Sequence, residues 1–153
     1  MVKTVTAKKI TTLTQELLTY LGLPKAKVKA SSKEGEVKVE IEAGEEAGIL
    51  IGYHGEILEA LQLILSLLTY RQAGTWQRIA VNVNDYLKVR RQQLETLASK
   101  VVQEVYLSKK SQTLPYLSAN ERRLVHEFLA ESQEVTTESV GESRQRRLVI
   151  SPK

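Results

Sequence analysis

Residues 48–58 read GILIGYHGEIL, and three of the eight glycines of this 153-residue chain, Gly48, Gly52 and Gly55, fall within eight positions. Directly behind them comes the leucine-rich run EILEALQLILSLL. A glycine inside a helix costs about 1 kcal/mol relative to alanine. Such a cluster at the mouth of a strongly apolar helix therefore marks a place where the backbone has to turn. Gly52-Tyr53-His54-Gly55 is a G-x-x-G. Two glycines three apart let the chain reverse tightly, with no Cβ to keep another backbone away. The helix behind them aims its N-terminal N–H groups and the positive end of its dipole at the same gap. A sugar–phosphate backbone fits such a place. As a bare motif, G-x-x-G more often marks a turn between two helices.

The pattern on either side limits the fold further. From Thr4 to Leu21, apolar residues at three- and four-residue steps predict an amphipathic helix that ends at Gly22 and Pro24. Lys27–Ala30 and Glu36–Glu42 read as strands, the second alternating Val37, Val39 and Ile41 with charged residues. SSKEG between them has turn composition. After an acidic turn at Gly44–Ala47, Ile57, Leu58, Leu61, Ile64, Leu65 and Leu68 mark a helix reaching about Tyr70. Ile79, Val81 and Val83 alternate through a third strand. A long helix follows over about Asp85–Leu107, with Leu87, Leu94, Leu97, Ala98, Val101 and Val105 as its core stripe. SKKSQTLPYLSAN reads as a polar loop and Ser118–Glu131 as a shorter helix, with Ser118 or Asn120 as N-cap. Strands at Val135–Val140 and Arg146–Ser151 close the chain. The expected class is α+β, in two small α/β modules, 1–84 and 85–153, meeting at the long helix.

Composition narrows the function. There is no cysteine, which excludes disulfides and thiolate metal sites. No apolar run is long enough to span a bilayer and no signal-like segment opens the chain, so a cytoplasmic, unprocessed protein is expected. The net charge of +4 is uneven, with 10 Lys+Arg against 9 Asp+Glu over residues 1–84 and 12 against 9 over 85–153. The later half gathers arginine pairs, Arg90–Arg91, Arg122–Arg123 and Arg146–Arg147. Basic excess of this size is a weak pointer to a polyanionic partner, and on charge alone an ordinary solvated surface accounts for it better. Only two histidines are present, His54 and His126. His126 and its neighbour Glu127 diverge by about 100° on a helix and make no dyad. No catalytic set, metal site or cofactor is expected, and the protein is read as a non-enzyme.

The stretch NERRLVH holds the second motif. Arg122 and His126 stand four residues apart and share one helix face. A guanidinium grips phosphate with two parallel N–H donors, and a neighbouring imidazole adds a hydrogen bond or a stacking surface. Leu124, Phe128 and Leu129 are expected on the core side. The spacing alone is common and also describes a surface arginine beside a half-buried histidine.

Helix, two-stranded hairpin, I-x-I-G-x-x-G, leucine-rich helix and alternating strand together resemble a bacterial KH domain in its type II order. The run from VNDYLKVRRQQLETL through SANERRLVHEFL to SRQRRLVI resembles the domain named for its Arg-x-x-x-His signature. KH followed by that module is the arrangement of the bacterial Jag family (KhpB, SpoIIIJ-associated), and the resemblance covers residues 1–151. Family members usually carry a further N-terminal Jag domain, which this chain is expected to lack.

The resemblance implies a G-x-x-G loop that holds a short single strand with its bases along an apolar groove. Gly52 and Gly55 then match the loop glycines, with Ile51 and Leu58 candidates for the groove. Tyr53 and His54 depart from the basic pair common in such loops; Tyr53 offers stacking instead of charge. In the second module Arg122 and His126 match the signature, Arg90 and Arg91 the basic pair of the long helix, and Arg146 and Arg147 the start of the last strand, with Arg123 nearby. The expected function is single-stranded RNA binding, as a regulator after transcription or an RNA chaperone. Alternatives are single-stranded DNA binding, or an adaptor docking a partner such as another KH protein or a membrane-associated assembly. Trp76, Tyr70, Tyr86, Tyr106 and Tyr116 are expected as core or rim.

Overall fold

The computed structural model describes residues 5–33 and 35–153. Thr4, expected at the start of the first helix, and Glu34, expected in the hairpin turn, lie outside the described residues. The chain divides into two compact units, Met1–Leu87 and Lys88–Lys153.

In the first unit, α1 (Ala7–Tyr20) buries Ile10, Thr14 and Leu18 on a four-residue step. Thr14 is tolerated in the core because its hydroxyl donates to the Ile10 carbonyl at 2.7 Å. β1 (Lys27–Lys33) and β2 (Glu36–Glu42) form an antiparallel hairpin. β1 runs three residues past the expected Ala30, with Ser31 opposite Lys38 and Ser32 opposite Val37. Turn-like composition gave way there to the hydrogen bonds that β2 offers. β3 (Arg78–Val83) lies parallel to β2, with Val37 beside Ile79 and Ile41 beside Val83. The sheet order is β1-β2-β3.

Parallel neighbours need a crossover, and the crossover here carries the glycines. A single 3-10 turn at Gly44–Glu46 leads into α2 (Ala47–Ile51), a 3-10 turn over Tyr53–Gly55, and α3 (Glu56–Ala73), which Gly74 ends in the left-handed region. The expected turn and apolar segment before the glycines are thus partly helical. α3 buries Leu58, Leu61, Leu65 and Thr69. Ile57 and Ile64, expected in its core stripe, face outward with Leu63 and Leu67. The helix is apolar nearly all round, so its sequence alone does not single out the core face.

In the second unit, α4 (Tyr86–Ser108, its first two residues in the first unit) buries Leu94, Ala98, Val101 and Val105. Leu87, expected in that stripe, is exposed. The expected loop contains β4 (Gln112–Thr113), and its Leu114 and Leu117 are buried. α5 (Ala119–Leu129) starts at the N-cap Ser118 in a full capping box with Glu121. Its core side is Val125 and Leu129; Phe128, expected there, is exposed. β5 (Val135–Val140) and β6 (Arg147–Pro152) form an antiparallel pair, and β4 adds to β6, giving the order β4-β6-β5. β6 begins at Arg147, one residue after the expected Arg146. Among the described residues no single helix is long and apolar enough to cross a membrane.

Candidate nucleic-acid interface

The glycines of the first unit are required by conformation. Gly52 has φ 70 and ψ −171, a region that only glycine adopts readily. A Cβ there would lie 2.5 Å from Cγ1 and 2.9 Å from Cβ of Ile57. Gly55 has φ 81 and ψ 10, is buried, and faces the Tyr86 ring, to which an added Cβ would come within 3.3 Å. His54 between them also takes a left-handed conformation, φ 51. The helical segments before and after this turn, Gly44–Ile51 and Tyr53–Ala73, meet at 56°.

Tyr53 is 66% exposed, and its ring meets His54 edge-on at 4.3 Å. The surrounding apolar residues differ from those expected. Leu58 is only 4% exposed and belongs to the core, because it sits on the sheet-facing side of α3. Ile51 is partly buried and packs against the same core. The apolar side chains open to a ligand beside the turn are Ile49 and Ile57. Glu56 and Glu59 in the first turn of α3 set negative charge against the helix dipole, so the turn gives shape and stacking surface more than charge.

In the second unit, one cleft of about 330 Å³ is lined by Ala119, Arg122, Arg123, His126, Thr137, Ser139 and Arg146. Arg122 and His126 share a face of α5, and Arg122 donates through Nη1 to the Leu117 carbonyl at 2.6 Å. His126 Nδ1 is hydrogen-bonded to Thr137 Oγ1. Arg123 pairs with Glu127 at 2.8 Å in an exposed contact worth little. Thr137 and Ser139 were missed in the sequence; their signal was the alternation Val135, Thr137, Ser139 along one face of a strand.

The other expected arginines are not brought to this cleft. Arg90 donates through Nε to Glu121 Oε1 at 2.7 Å. Glu121, 5% exposed, also accepts from the Ser118 amide at 2.8 Å through Oε2. Arg90 thus neutralises a buried carboxylate that fixes the start of α5. Arg91 pairs with Glu95 at 3.0 Å along α4. Arg147 curls back to the carbonyls of Arg144 and Arg146 and lies over the Tyr116 ring at 5.4 Å, shaping the tip of the β5–β6 hairpin. No group of three or more His, Asp or Glu side chains that would hold a metal occurs among the described residues.

A mixed sheet with G-x-x-G on its parallel crossover, followed by a helix and hairpin enclosing an Arg/His cleft, defines a KH module joined to an Arg-x-x-x-His module. Residues 7–83 match the family described as KhpA/KhpB, KH domain, and residues 92–152 match the domain family named for the Arg-x-x-x-His signature. The chain belongs to the KhpA/KhpB KH-domain family, in the tandem form that carries the Arg-x-x-x-His domain. Among its relatives is the RNA-binding protein KhpB of Clostridium symbiosum, 33% identical over 82% of this chain and 56% of that protein. Its namesake in Bacillus subtilis (strain 168) is 35% identical over 72% of this chain and 54% of that protein. The namesake in Streptococcus pneumoniae serotype 2 is 33% identical over 69% of this chain and 32% of that protein. The chain spans about half the length of the first two relatives. None of these descriptions is that of an enzyme.

Proposed function

We propose that this chain binds single-stranded RNA through two modules, 1–84 and 85–153, acting as a cytoplasmic, non-catalytic regulator or chaperone of transcripts. The observation that carries the reading is the cleft of the second module, where Arg122, Arg123, Arg146 and His126 converge with two hydroxyl groups. Guanidinium groups and hydroxyls on one small concavity suit a phosphodiester. The G-x-x-G turn supplies the second contact, with Tyr53 stacking on a base or ribose and Ile49 and Ile57 as apolar floor. Leu58, Arg90 and Arg147 serve the scaffold in this reading, and Arg91 is peripheral. Fluorescence anisotropy with labelled single-stranded RNA over a salt series tests it. Affinity should fall steeply with salt, and Arg122→Ala and Arg146→Ala should each flatten the slope by about 0.7. Absence of binding at low salt refutes it. Matched DNA competitors separate RNA from DNA recognition, through the 2′-hydroxyl.

An adaptor role has its own observation. Leu63, Ile64 and Leu67 of α3 continue into Tyr70, which stacks on Trp76 at 4.8 Å, and Trp76 is 63% exposed. An apolar face of this kind, on the order of several hundred Å², marks an interaction site. Under this reading it docks a second KH-type chain, and Leu67→Glu abolishes the association in sedimentation while leaving RNA binding by the Arg/His cleft in place.

A further inference from the structure

β5 presents Val135, Thr137 and Ser139 on one face. Val135 enters the core, and the two hydroxyl residues extend the same face into the cleft. Thr137 Oγ1 lies at hydrogen-bonding distance from Nδ1 of His126, on the opposite wall. An imidazole held through Nδ1 turns Nε2 away from its holder, and the His126 ring lines the same cleft as Arg122, Arg123 and Arg146. We propose that Thr137 is a positioning residue of the cleft: it fixes the His126 ring so that Nε2 faces the bound strand as an N–H donor. The proposal rests on the reading of this cleft as a phosphodiester site.

The chemistry follows from the two partners. A neutral imidazole has one N–H and one bare nitrogen. When threonine's hydroxyl donates to a bare Nδ1, the hydrogen sits on Nε2, where a phosphate oxygen accepts it; the opposite tautomer would set a bare Nε2 against the phosphate. With the ring protonated, both nitrogens carry hydrogen and the same hydroxyl accepts from Nδ1. A hydroxyl at this position thus suits both an Nε2–H imidazole and an imidazolium, each of which offers the cleft a donor. The charged groups around the ring are Arg122 and Arg123 from α5 and Arg146 just before the last strand. Glu127 is engaged by Arg123 on the same helix, and β5 contributes only neutral hydroxyls. Without Thr137, the bare nitrogen is free to face the phosphate, and an acceptor then meets an acceptor.

The test uses the full chain with Thr137→Val, which keeps size and strand propensity but removes the hydroxyl, and Thr137→Ser, which restores it. Imidazole nitrogen NMR on the free protein reads the His126 tautomer without any nucleic acid. The wild type and Thr137→Ser should show predominantly Nε2–H, and Thr137→Val a mixture. Affinity for single-stranded RNA should fall about threefold to tenfold in Thr137→Val, the effect of one hydrogen bond. In a His126→Ala background, Thr137→Val should change nothing further. An unchanged tautomer in Thr137→Val, or a loss that persists without His126, overturns the proposal. Failure of the wild type to bind RNA refutes the phosphodiester reading instead, and the NMR result then still decides whether Thr137 orients the ring.

Discussion

Replacing each of two neighbouring glycines by alanine should move stability in opposite directions. Gly52 sits at φ 70, ψ −171, where a residue with a Cβ is strained by about 1–3 kcal/mol. The new methyl would also lie 2.5 Å from Cγ1 and 2.9 Å from Cβ of Ile57. The Cγ1 contact is relieved by rotating the side chain, but the Cβ contact requires backbone movement, adding about 1 kcal/mol. Gly52→Ala should therefore destabilise the first unit by about 2–4 kcal/mol. Gly48 lies four residues earlier inside α2, with nothing within 4 Å of an added Cβ. Gly48→Ala should stabilise by up to about 1 kcal/mol through helix propensity alone. Urea unfolding followed by Trp76, the chain's one tryptophan, reads the first unit selectively. With a slope of about 1.5 kcal/mol per molar urea, the Gly52→Ala midpoint should drop by about 2 M. Equal midpoints for the two variants would refute the geometric argument. For the same reason Gly52→Asp is a poor probe of RNA contact, because it strains the turn before it repels a phosphate.

Tyr53→Ala should leave the unfolding midpoint unchanged, since the side chain is exposed, while weakening RNA binding by about 1–3 kcal/mol if a base stacks on it; anisotropy and urea melts together check this. Glu121→Ala should destabilise the second unit by about 1–3 kcal/mol, because it removes half of a capping box and the ion pair with Arg90. A double-mutant cycle with Arg90→Ala, read by chemical unfolding, should give a coupling of about 1–3 kcal/mol, and additivity would show the pair to be independent. Trp76→Ser should leave RNA affinity intact and reduce self- or partner association in sedimentation, if the α3 face docks another chain.

Where a period was strong and one face was buried, the fold was legible: α1, β2, β3 and α4 lie close to where alternation and helical spacing set them. β1 ran longer than read because Ser31, Ser32 and Lys33 follow a pairing preference of β2 that local composition does not carry. β4 is two residues long, too short for any period to appear. The face of α3 was ambiguous because leucine and isoleucine surround it. At the candidate site, Gly52 and Gly55 were legible as glycines needing unusual backbone angles. Arg122 and His126 were legible through their four-residue step. Arg90 and Arg146 look alike in sequence and have different partners; only the position of Glu121 across from α4 separates them. Thr137 lies eleven residues from His126, and nothing local announces the contact.

The parallel pairing of β3 with β2 also has a kinetic side. The G-x-x-G turn lies on the loop that closes when Ile79 reaches Val37, so its place beside the sheet depends on a distant contact, while its own hydrogen bonds, from the Gly52 and Gly55 amides to the Gly48 and Gly52 carbonyls, are local. On a ribosome, the turn would be complete in the nascent chain before β3 emerged, and it would be fixed beside the sheet only after residue 83 had docked. Fragments ending at Ala73 should therefore carry every residue of the loop without the β3 pairing that closes it onto the sheet.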